Sequence, residues 1–551
     1  MERKNVILAG VCMSVLSFAL TGCGNTQEAM VPEGNSPTEK IVAAAAMEKM
    51  TPGYVKDAGD EVTLDWYINF SWFNTSWGES VVSKAITEKT GVNVRFTAPT
   101  GNEAEKLNAM IISENLPDLI TLDYHEYQSG ELIDKDLVWA MDELADKYDC
   151  YWYQTADQDA VNWYTREDGH IYGYPNYSCS KQDYDTYDNI ASNQTFLVRK
   201  DIYEAIGSPD MTTPEGFEAA VKAAVEKYPL INGEPLIPIG ACEFTETGNN
   251  SFDSYLCNFL AIPYEKNGKY YDRYSDPELI RWLKEFRKLG EEGYLASDIF
   301  TDKRTLMEEK IAKGRYFCML FQRTDLSTQE LYLYSQNPDS VYIAVDGPKN
   351  SEGGDYELPG NDINGWTLTF ISKSCEHPDR AIELISYLLS EEGQEMIWLG
   401  VEGETWDYVD GVMTMHEDVY QLMGENRVEF DRIYGADATY WMLMDNIGEI
   451  KYKPPLAEPL LQMKEWTYPY LYNASAYNVT LPTDSTEAKM ELEIKRQWGK
   501  ILPELLLAPS EEEFDQIFSE YMQYKKVKGM DQILNQKTEL MNKAKEKLGE
   551  E

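Results

Sequence analysis

Aromatic and acidic side chains follow two of the predicted strands, at positions where a binding site can form. Trp72 and Trp77 lie in the aromatic loop after the first strand, and Asp123 and Tyr124 directly follow the third. Aromatic rings offer a large contact area on stiff side chains. Carboxylates accept hydroxyl hydrogens in strong, charge-assisted bonds. These residue types suit non-covalent binding of a ligand that carries both apolar faces and hydroxyl groups.

Later parts of the chain carry further candidates of the same chemistry. Tyr174, Asn176 and Tyr177 lie where the chain is predicted to cross between two lobes. Arg323 follows a predicted buried strand, and Trp366 and Trp406 lie on either side of a segment predicted to return to the first lobe. Each also has a structural interpretation: packing over a helix end, a helix cap, sheet core or a surface ion pair. The complete set of predicted ligand contacts is Trp72, Trp77, Asp123, Tyr124, Tyr174, Asn176, Tyr177, Arg323, Trp366 and Trp406.

No motif for a metal or cofactor stands out. The four histidines, including His125, show no H-E-x-x-H spacing, and G-x-G-x-x-G, P-loop and G-x-S-x-G patterns are absent. The six cysteines after Cys23 are scattered without C-x-x-C pairs. Asp183, Asp185 and Asp188 offer oxygen ligands for Ca²⁺, but they do not match an EF-hand loop. A solvated loop is the alternative, and we predict neither a metal nor a cofactor.

Hydrophobic periodicity predicts the elements that must position these side chains. Strands are predicted at 62–68, 92–96 and 117–122, with helices at 79–90 and 103–115 between them. This alternation predicts right-handed crossovers and a parallel sheet, whose ligands bind at the carboxyl ends of the strands. A second lobe is predicted from a strand at 195–199, helices that begin at Thr213-Pro214 and Asp276-Pro277, and a buried strand at 314–321. A strand at 364–371 and one long helix to about Trp398 follow.

The amino terminus has the features of a lipoprotein signal. Arg3 and Lys4 precede a largely apolar stretch from Val6 to Leu20, which is short for a membrane span. The junction Leu20-Thr21-Gly22-Cys23 resembles the lipobox of bacterial lipoproteins, which implies cleavage before Cys23 and its acylation. Residues 24–60 lack a strong apolar period, so we predict a flexible tether there.

Composition excludes some classes of partner. The chain has 95 acidic and 49 basic residues, a net charge of −46. Such a charge disfavours nucleic acid and anionic lipid surfaces and favours neutral or cationic ligands. About 490 residues after the tether are too many for one core and predict two or more lobes.

The order of short motifs resembles extracellular solute-binding proteins of family 1, the receptors of bacterial ABC sugar importers, in their long oligosaccharide-type lipoprotein subgroup. The resemblance covers nearly the whole mature chain, although each motif alone is weak. It is carried by Thr90–Val94, Lys106–Asn108, Leu116–Ile120, Ile171–Pro175, Pro378–Ala381, Glu391–Glu395 and Gly400–Trp406.

The resemblance implies a periplasmic-binding-protein-like α/β fold, with two lobes joined by a hinge and the ligand in the cleft. It implies a monomeric receptor without catalytic activity that binds an oligosaccharide. It also implies an ABC permease with a cytoplasmic ATPase as partners, and a lipid-anchored position on the extracellular face of the cell membrane. The implied divisions are a signal peptide at 1–22, a tether at 23–60, lobe 1 at 61–190 and 364–402, and lobe 2 at 195–360 and 405–551.

Two other functions remain open on sequence alone. A surface glycoside hydrolase requires two suitably spaced carboxylates, which a chain this acidic does not exclude, although no eightfold β/α repeat is visible. A receptor for peptides or other solutes can use the same two-lobe fold, because a fold does not fix its ligand.

Overall fold

A computed structural model describes residues 31–437, 441–482 and 485–550 of the chain. The predicted signal peptide and the predicted lipidation site at Cys23 lie outside these residues. Residues 32–551 form one compact unit. Across the described ranges, each helix is too short or too polar to span a membrane.

The strands form two main sheets and several two-stranded pairs. In chain order they are β1 (Val62–Ile68), β2 (Val92–Thr97), β3 (Leu119–Asp123), β4 (Gly173–Pro175), β5 (Gln194–Arg199), β6 (Leu230–Ile231), β7 (Glu234–Pro235), β8 (Ile237–Gly240), β9 (Glu265–Lys266), β10 (Lys269–Tyr270), β11 (Tyr316–Gln322), β12 (Tyr342–Ala344), β13 (Leu358–Pro359), β14 (Thr367–Ile371), β15 (Trp406–Val409), β16 (Val412–Met415) and β17 (Leu471–Tyr472).

Helices cover both sheets and form the carboxyl-terminal region. In chain order they are α1 (Pro37–Ala45), α2 (Gly53–Asp57), α3 (Val81–Thr90), α4 (Glu103–Ser113), α5 (Tyr127–Asp134), α6 (Met141–Lys147), α7 (Trp152–Thr155), α8 (Gln158–Tyr164), α9 (Lys181–Thr186), α10 (Lys200–Ala205), α11 (Pro214–Lys227), α12 (Ser254–Phe259), α13 (Pro277–Glu291), α14 (Arg304–Ala312), α15 (Ser327–Gln336), α16 (Pro378–Leu389), α17 (Glu391–Leu399), α18 (Glu417–Glu425), α19 (Arg427–Ile433), α20 (Asn446–Tyr452), α21 (Glu458–Thr467), α22 (Thr486–Leu506), α23 (Glu511–Lys528) and α24 (Met530–Leu548).

The first lobe is built on a five-stranded sheet of order β2-β1-β3-β14-β4. Strand β1 runs parallel to β2 and β3, as the sequence predicts. Its alternating side chains enter two cores: Trp66 and Ile68 pack on one face and Tyr67 on the other. Helix α3 supplies the crossover, and it ends at Gly91 with φ 70°, a conformation that favours glycine.

The second lobe is built on a four-stranded sheet of order β12-β5-β11-β8. Strand β11 is its buried centre, antiparallel to β5 and parallel to β8. Helices α11 and α13 begin at Thr213 and Asp276, whose side chains cap them as predicted. A separate hydrophobic core includes Trp282 and Trp498. The predicted fold class, two α/β lobes, is confirmed.

Three segments connect the lobes and form the hinge: residues 176–193, 360–366 and 453–457. The first two touch at the backbone, because a Cβ on Gly365, at φ 67°, would come within 2.0 Å of the Asn176 carbonyl oxygen. The Ser178 hydroxyl donates to the Ile363 carbonyl at 2.7 Å. The hinge is therefore a bonded unit.

The tether predicted at 23–60 is wrong for its second part. Helix α1 packs against α7 and α8, with Ile41 and Ala44 buried in the first core. Helix α2 follows, and its Tyr54 is 3% exposed. The sequence does not reveal that α1 packs on the first lobe, because its apolar residues are mostly alanines. Their packing partners, in α7 and α8, lie about a hundred residues further along the chain.

The carboxyl-terminal boundary of lobe 1 also differs from the prediction. Residues 405–452 were assigned to lobe 2, yet Trp406, Val419, Phe430 and Tyr452 pack in the first core. Only from α21 onward do side chains join the second core. The long helix predicted to end near Trp398 is two helices, because Ser390 caps α17 by accepting from the Gly393 amide.

Candidate functional site

Strand register brings several predicted residues to one edge of the first sheet. Thr367, at the start of β14, pairs with Asp123 at the end of β3. Pro175, at the end of β4, pairs with Leu368. Because β1 and β3 are parallel, the residues after β1 meet those after β3 and before β14 at this edge.

An aromatic group, here called the lobe 1 stack, covers this edge and consists of Phe70, Trp72 and Trp366. The centroid of Phe70 lies 5.2 Å from that of Trp72 and 5.0 Å from that of Trp366, in stacked orientations. The two indoles are 6.2 Å apart and inclined by 19°. Trp72 remains 44% exposed, which is unusual for so large a side chain. The stack presents an apolar platform to solvent.

Polar groups stand beside this platform. The Tyr124 amide donates to the Trp366 carbonyl at 3.2 Å, which fixes Tyr124 next to the stack. Asp123 Oδ1 accepts from the His125 amide at 2.8 Å and lies 2.9 Å from His125 Nδ1. Burial and the charges of Asp362 and other neighbours raise the pKa of Tyr124, so its hydroxyl stays neutral. It can therefore both donate and accept.

Lobe 2 contributes three tyrosines, here called the tyrosine group: Tyr264, Tyr472 and Tyr477. The centroid of Tyr264 lies 6.0 Å from Tyr472 and 5.2 Å from Tyr477, with the rings nearly parallel. The Arg273 guanidinium lies 4.0 Å from the centroid of Tyr264. The Asn478 carbonyl, next to Tyr477, accepts from Asn364 Nδ2 at 3.5 Å, so the tyrosine group lies beside the segment that leads into Trp366.

A hydrogen-bonded network fixes the tyrosine group on the second sheet. Asn258 Oδ1 accepts from Arg273 at 2.7 Å and from the Tyr264 hydroxyl at 3.2 Å. Asn258 Nδ2 donates to Gln194 Oε1, at the start of β5, at 2.8 Å. Gln322, paired with Gln194 in the sheet, accepts from the Tyr255 hydroxyl at 2.8 Å. Amide groups of lobe 2 thus line the edge that faces the hinge.

Between the two lobes, the hinge segment 360–366 carries polar groups of its own. The Asn364 carbonyl accepts from the Tyr164 hydroxyl at 2.6 Å, and its side-chain oxygen accepts from Trp163 Nε1 at 2.8 Å. Asp362 is 6% exposed and accepts from Asn478. At the far end of α24, Lys547 of lobe 2 donates to the Trp163 carbonyl at 2.6 Å. The site is therefore built from both lobes and the hinge.

Glu126 makes stability near the site depend on pH. Burial, reinforced by the charge of Asp123, raises the pKa of Glu126 to about 7, above about 4.3 in an unfolded chain. The folded state then binds more protons than the unfolded state between these values, so this contribution to stability is lost as pH rises through 7.

We expect the midpoint temperature of unfolding to decrease as the pH is raised from about 5 to about 8. Glu126→Gln is expected to make this decrease smaller. Glutamine keeps the acceptor for Asn69 Nδ2, at 2.8 Å from the glutamate oxygen. Thermal unfolding followed by circular dichroism across this range is the measurement. An unchanged slope in the variant would show that other groups dominate.

Four of the predicted contacts come together at the edge: Trp72, Trp366, Asp123 and Tyr124. Trp77 does not join them. Its Nε1 donates to Thr87 Oγ1 at 2.8 Å, and its ring meets Phe96 edge-on at 5.9 Å, so it packs over helix α3.

The three residues predicted at the hinge serve its structure. Tyr174 is 5% exposed, and its hydroxyl accepts from the Asp157 amide at 2.8 Å. Asn176 Oδ1 accepts from the Thr367 amide at 2.8 Å. Tyr177 meets Trp398 edge-on at 6.3 Å and donates to the Met444 sulfur.

The last two candidates lie away from the lobe 1 stack. Arg323 donates from Nε to the Ser192 carbonyl at 2.8 Å and faces Glu449 on α20 at the hinge. Trp406 is 1% exposed in the first core, and its Nε1 lies 3.3 Å from the Gly400 carbonyl oxygen. Trp406 therefore packs as a core residue in this structure, and its predicted contact with a ligand stays a prediction.

Sequence reasoning missed the lobe 2 half of the site. Tyr264 and Tyr477 lie in irregular segments and Tyr472 in the two-residue strand β17, so no periodicity distinguishes them from the many other tyrosines. Phe70 lies in the same aromatic loop as Trp72 and Trp77, and the sequence alone does not identify it as a ligand contact. Asp362 and Asn364 carry one detectable signal, because they lie just before and at the start of the strand predicted at 364–371.

The acidic cluster at 183–188 is a helix start in this structure. Asp183 forms a reciprocal capping box with Ser180 at the first turn of α9. No group of three or more potential metal ligands occurs within the described ranges. All six cysteines there, from Cys150 to Cys375, are free thiols.

Two α/β lobes, joined by crossing segments and meeting at aromatic and polar side chains, define the class of two-lobe binding proteins. The chain belongs to the bacterial extracellular solute-binding protein family, whose model matches residues 82–404, more than half of its length. No curated protein sequence matches the chain.

Solved structures with the same fold include several sugar-binding proteins at low identity. The alginate-binding protein AlgQ2 is 18% identical, with a TM-score of 0.66 over 88% of this chain and 99% of its own. The Streptococcus pneumoniae ABC-transporter substrate-binding protein FusA, in complex with kestose, is 16% identical, with a TM-score of 0.65 and the same coverage. The N-glycan transport solute-binding protein NgtS of Streptococcus pneumoniae is 17% identical, with a TM-score of 0.58 over 89% and 99%.

Proposed function

We propose that this protein is the extracellular receptor of an ABC importer and that it captures an oligosaccharide between its lobes. The single observation that carries the proposal is the lobe 1 stack, with Trp72 exposed and parallel to Trp366 beside Asp123 and Tyr124. Sugars present apolar C–H faces and a rim of hydroxyls, which this combination of aromatic and polar groups complements. The similar structures are an alginate-binding protein, a substrate-binding protein in complex with kestose and an N-glycan transport protein.

The proposed mechanism is conformational. Sugar first binds to the lobe 1 stack, and rotation at the hinge then adds the tyrosine group and the amides of lobe 2. A membrane permease with a cytoplasmic ATPase recognises the closed form. The side chains of the site bind and orient the sugar, and no bond is broken. The monomeric receptor is held at the outer face of the cell membrane by acylation of Cys23.

Calorimetric titration with an oligosaccharide panel tests the ligand class. Neutral and acidic tetrasaccharides of several linkages are titrated into the purified protein, with dipeptides as controls, and thermal shifts are recorded in parallel. A ligand at 100 times its Kd stabilises the folded state by about 2.7 kcal/mol. Saturable binding of a sugar supports the proposal. Binding of dipeptides alone would overturn it while keeping the fold.

A further inference from the structure

Asp362 is a buried acidic residue of the hinge whose carboxylate is only partly satisfied. It lies on the hinge between β13 and β14 and is 6% exposed. Asn478 donates to its Oδ2, whereas its buried Oδ1 has no hydrogen-bond partner. An unpartnered buried carboxylate oxygen costs free energy and persists where another group satisfies it.

The surroundings of Asp362 place this oxygen in the proposed site. Asp362 Oδ2 accepts from Asn478, the residue after Tyr477 of the tyrosine group, and its backbone carbonyl accepts at 3.0 Å from the amide of Gly365, the residue before Trp366 of the lobe 1 stack. Consistent with this position, its charge raises the pKa values of Tyr124 and Tyr164 in lobe 1 and of Tyr264 in lobe 2. Asp362 therefore lies near the junction of the lobe 1 stack and the tyrosine group, where a ligand between the lobes would contact it.

The cations near this junction are already engaged. His125 pairs with Asp123 at 2.9 Å. Arg273 lies against Tyr264, and its Nε and Nη2 donate to the Ile262 carbonyl and to Asn258. Lys547 donates to backbone carbonyls. A second carboxylate brought to Asp362 would meet an anion, while His125, Arg273 and Lys547 already have partners.

We propose that Asp362 accepts a hydroxyl hydrogen of the bound sugar, so that the site takes an uncharged oligosaccharide and rejects its carboxylated counterpart. This inference rests on the proposed function and specifies its ligand. It separates the protein from the structurally similar alginate-binding protein AlgQ2, because alginate is an acidic polysaccharide.

The first test compares two sugars that differ only at C6: β-1,4-mannotetraose and the β-1,4-mannuronate tetramer, within the wider panel. Neutral sugars are expected to bind at least tenfold more tightly than the matched uronates. Preferential binding of the uronate would overturn the inference and leave the proposed function intact. Failure of all sugars to bind would instead overturn the proposed function.

The second test is Asp362→Asn, measured with the best neutral sugar of the panel at pH 8. Asparagine keeps an oxygen for Asn478 but replaces the acceptor Oδ1 with an amide donor. Affinity is expected to fall by about 10- to 100-fold, the range of a hydrogen bond to a charged group. The ligand-free variant is expected to melt at a higher temperature, because it no longer buries an unpartnered charge.

Opposite signs for affinity and stability distinguish a binding role from a structural one. Asp253→Asn is the matched control, because Asp253 is equally buried in lobe 2 but both of its oxygens have partners, including Trp498 Nε1 at 3.1 Å. This control is expected to lose stability and keep its affinity. Unchanged affinity in Asp362→Asn, or lower stability together with lower affinity, would overturn the role of Asp362.

Discussion

Removal of residues 32–60 is expected to unfold the first lobe. Ile41, Ala44 and Tyr54 are buried in its core. The ring of Tyr54 meets Tyr387 edge-on at 5.1 Å. Burial of a large apolar side chain contributes about 1.5–3 kcal/mol. The lost packing alone is thus a large part of a typical total stability of about 5–15 kcal/mol.

A buried cation adds to this cost. Arg380 is 3% exposed, and its Nη1 donates to the carbonyls of Asp57 and Asp60 at 2.5 and 3.2 Å. Its Nε lies 3.0 Å from Glu383 Oε2, and burial raises the pKa of Glu383 to about 8. Removal of residues 32–60 takes away the Asp57 and Asp60 carbonyls and leaves the guanidinium with the Thr90 carbonyl and Glu383, so these hydrogen bonds are lost in addition to the packing.

Two truncated variants distinguish a specific role of residues 32–60 from a general effect of shortening the amino terminus. A chain that begins at Pro32 is expected to melt like the longer protein, and one that begins at Glu61 to lose cooperative unfolding of lobe 1. Circular dichroism and differential scanning calorimetry are the measurements. Equal midpoints for the two chains would show that 32–60 is the dispensable tether that its composition predicts.

The sequence predicted the part of the site that follows strands β1 and β3 of lobe 1. Alternation located β1 and β3, and the rule for parallel strands then placed Trp72 and Asp123 at one edge. The identity of their neighbours depends on tertiary pairing. Trp366 reaches Trp72 only because β14 inserts beside β3 from far along the chain.

Residue type alone could not separate ligand contacts from core. Trp77 and Trp406 have the same side chain as Trp72, yet one packs over a helix and the other is sealed in the core. The difference arises from surrounding elements, such as the β15–β16 hairpin around Trp406, whose register no local pattern reveals. The tyrosine group was invisible for the same reason.

Replacement of Trp366 with alanine is expected to cause the largest loss of affinity among the aromatic residues. Its ring stacks on Phe70 at 5.0 Å and lies nearly parallel to the ring of Trp72 at 6.2 Å, so its removal breaks up the indole pair of the lobe 1 stack. Truncation of a central aromatic contact typically costs about 2–4 kcal/mol, roughly 30- to 1000-fold in Kd. Trp72→Ala is expected to cost less, about 1–2 kcal/mol, because its ring is more exposed.

Trp77→Ala supplies the control from the same loop. Its ring packs on Phe96 and bonds to Thr87, so the loss is expected in stability, about 2–4 kcal/mol, and not in affinity. Calorimetric titration with the sugar identified from the panel, at a temperature where all three variants remain folded, gives the affinities. Thermal unfolding gives the stabilities. If Trp77→Ala weakened binding as much as Trp366→Ala, the ligand would occupy the helix α3 side of the loop, and the lobe 1 stack would be core.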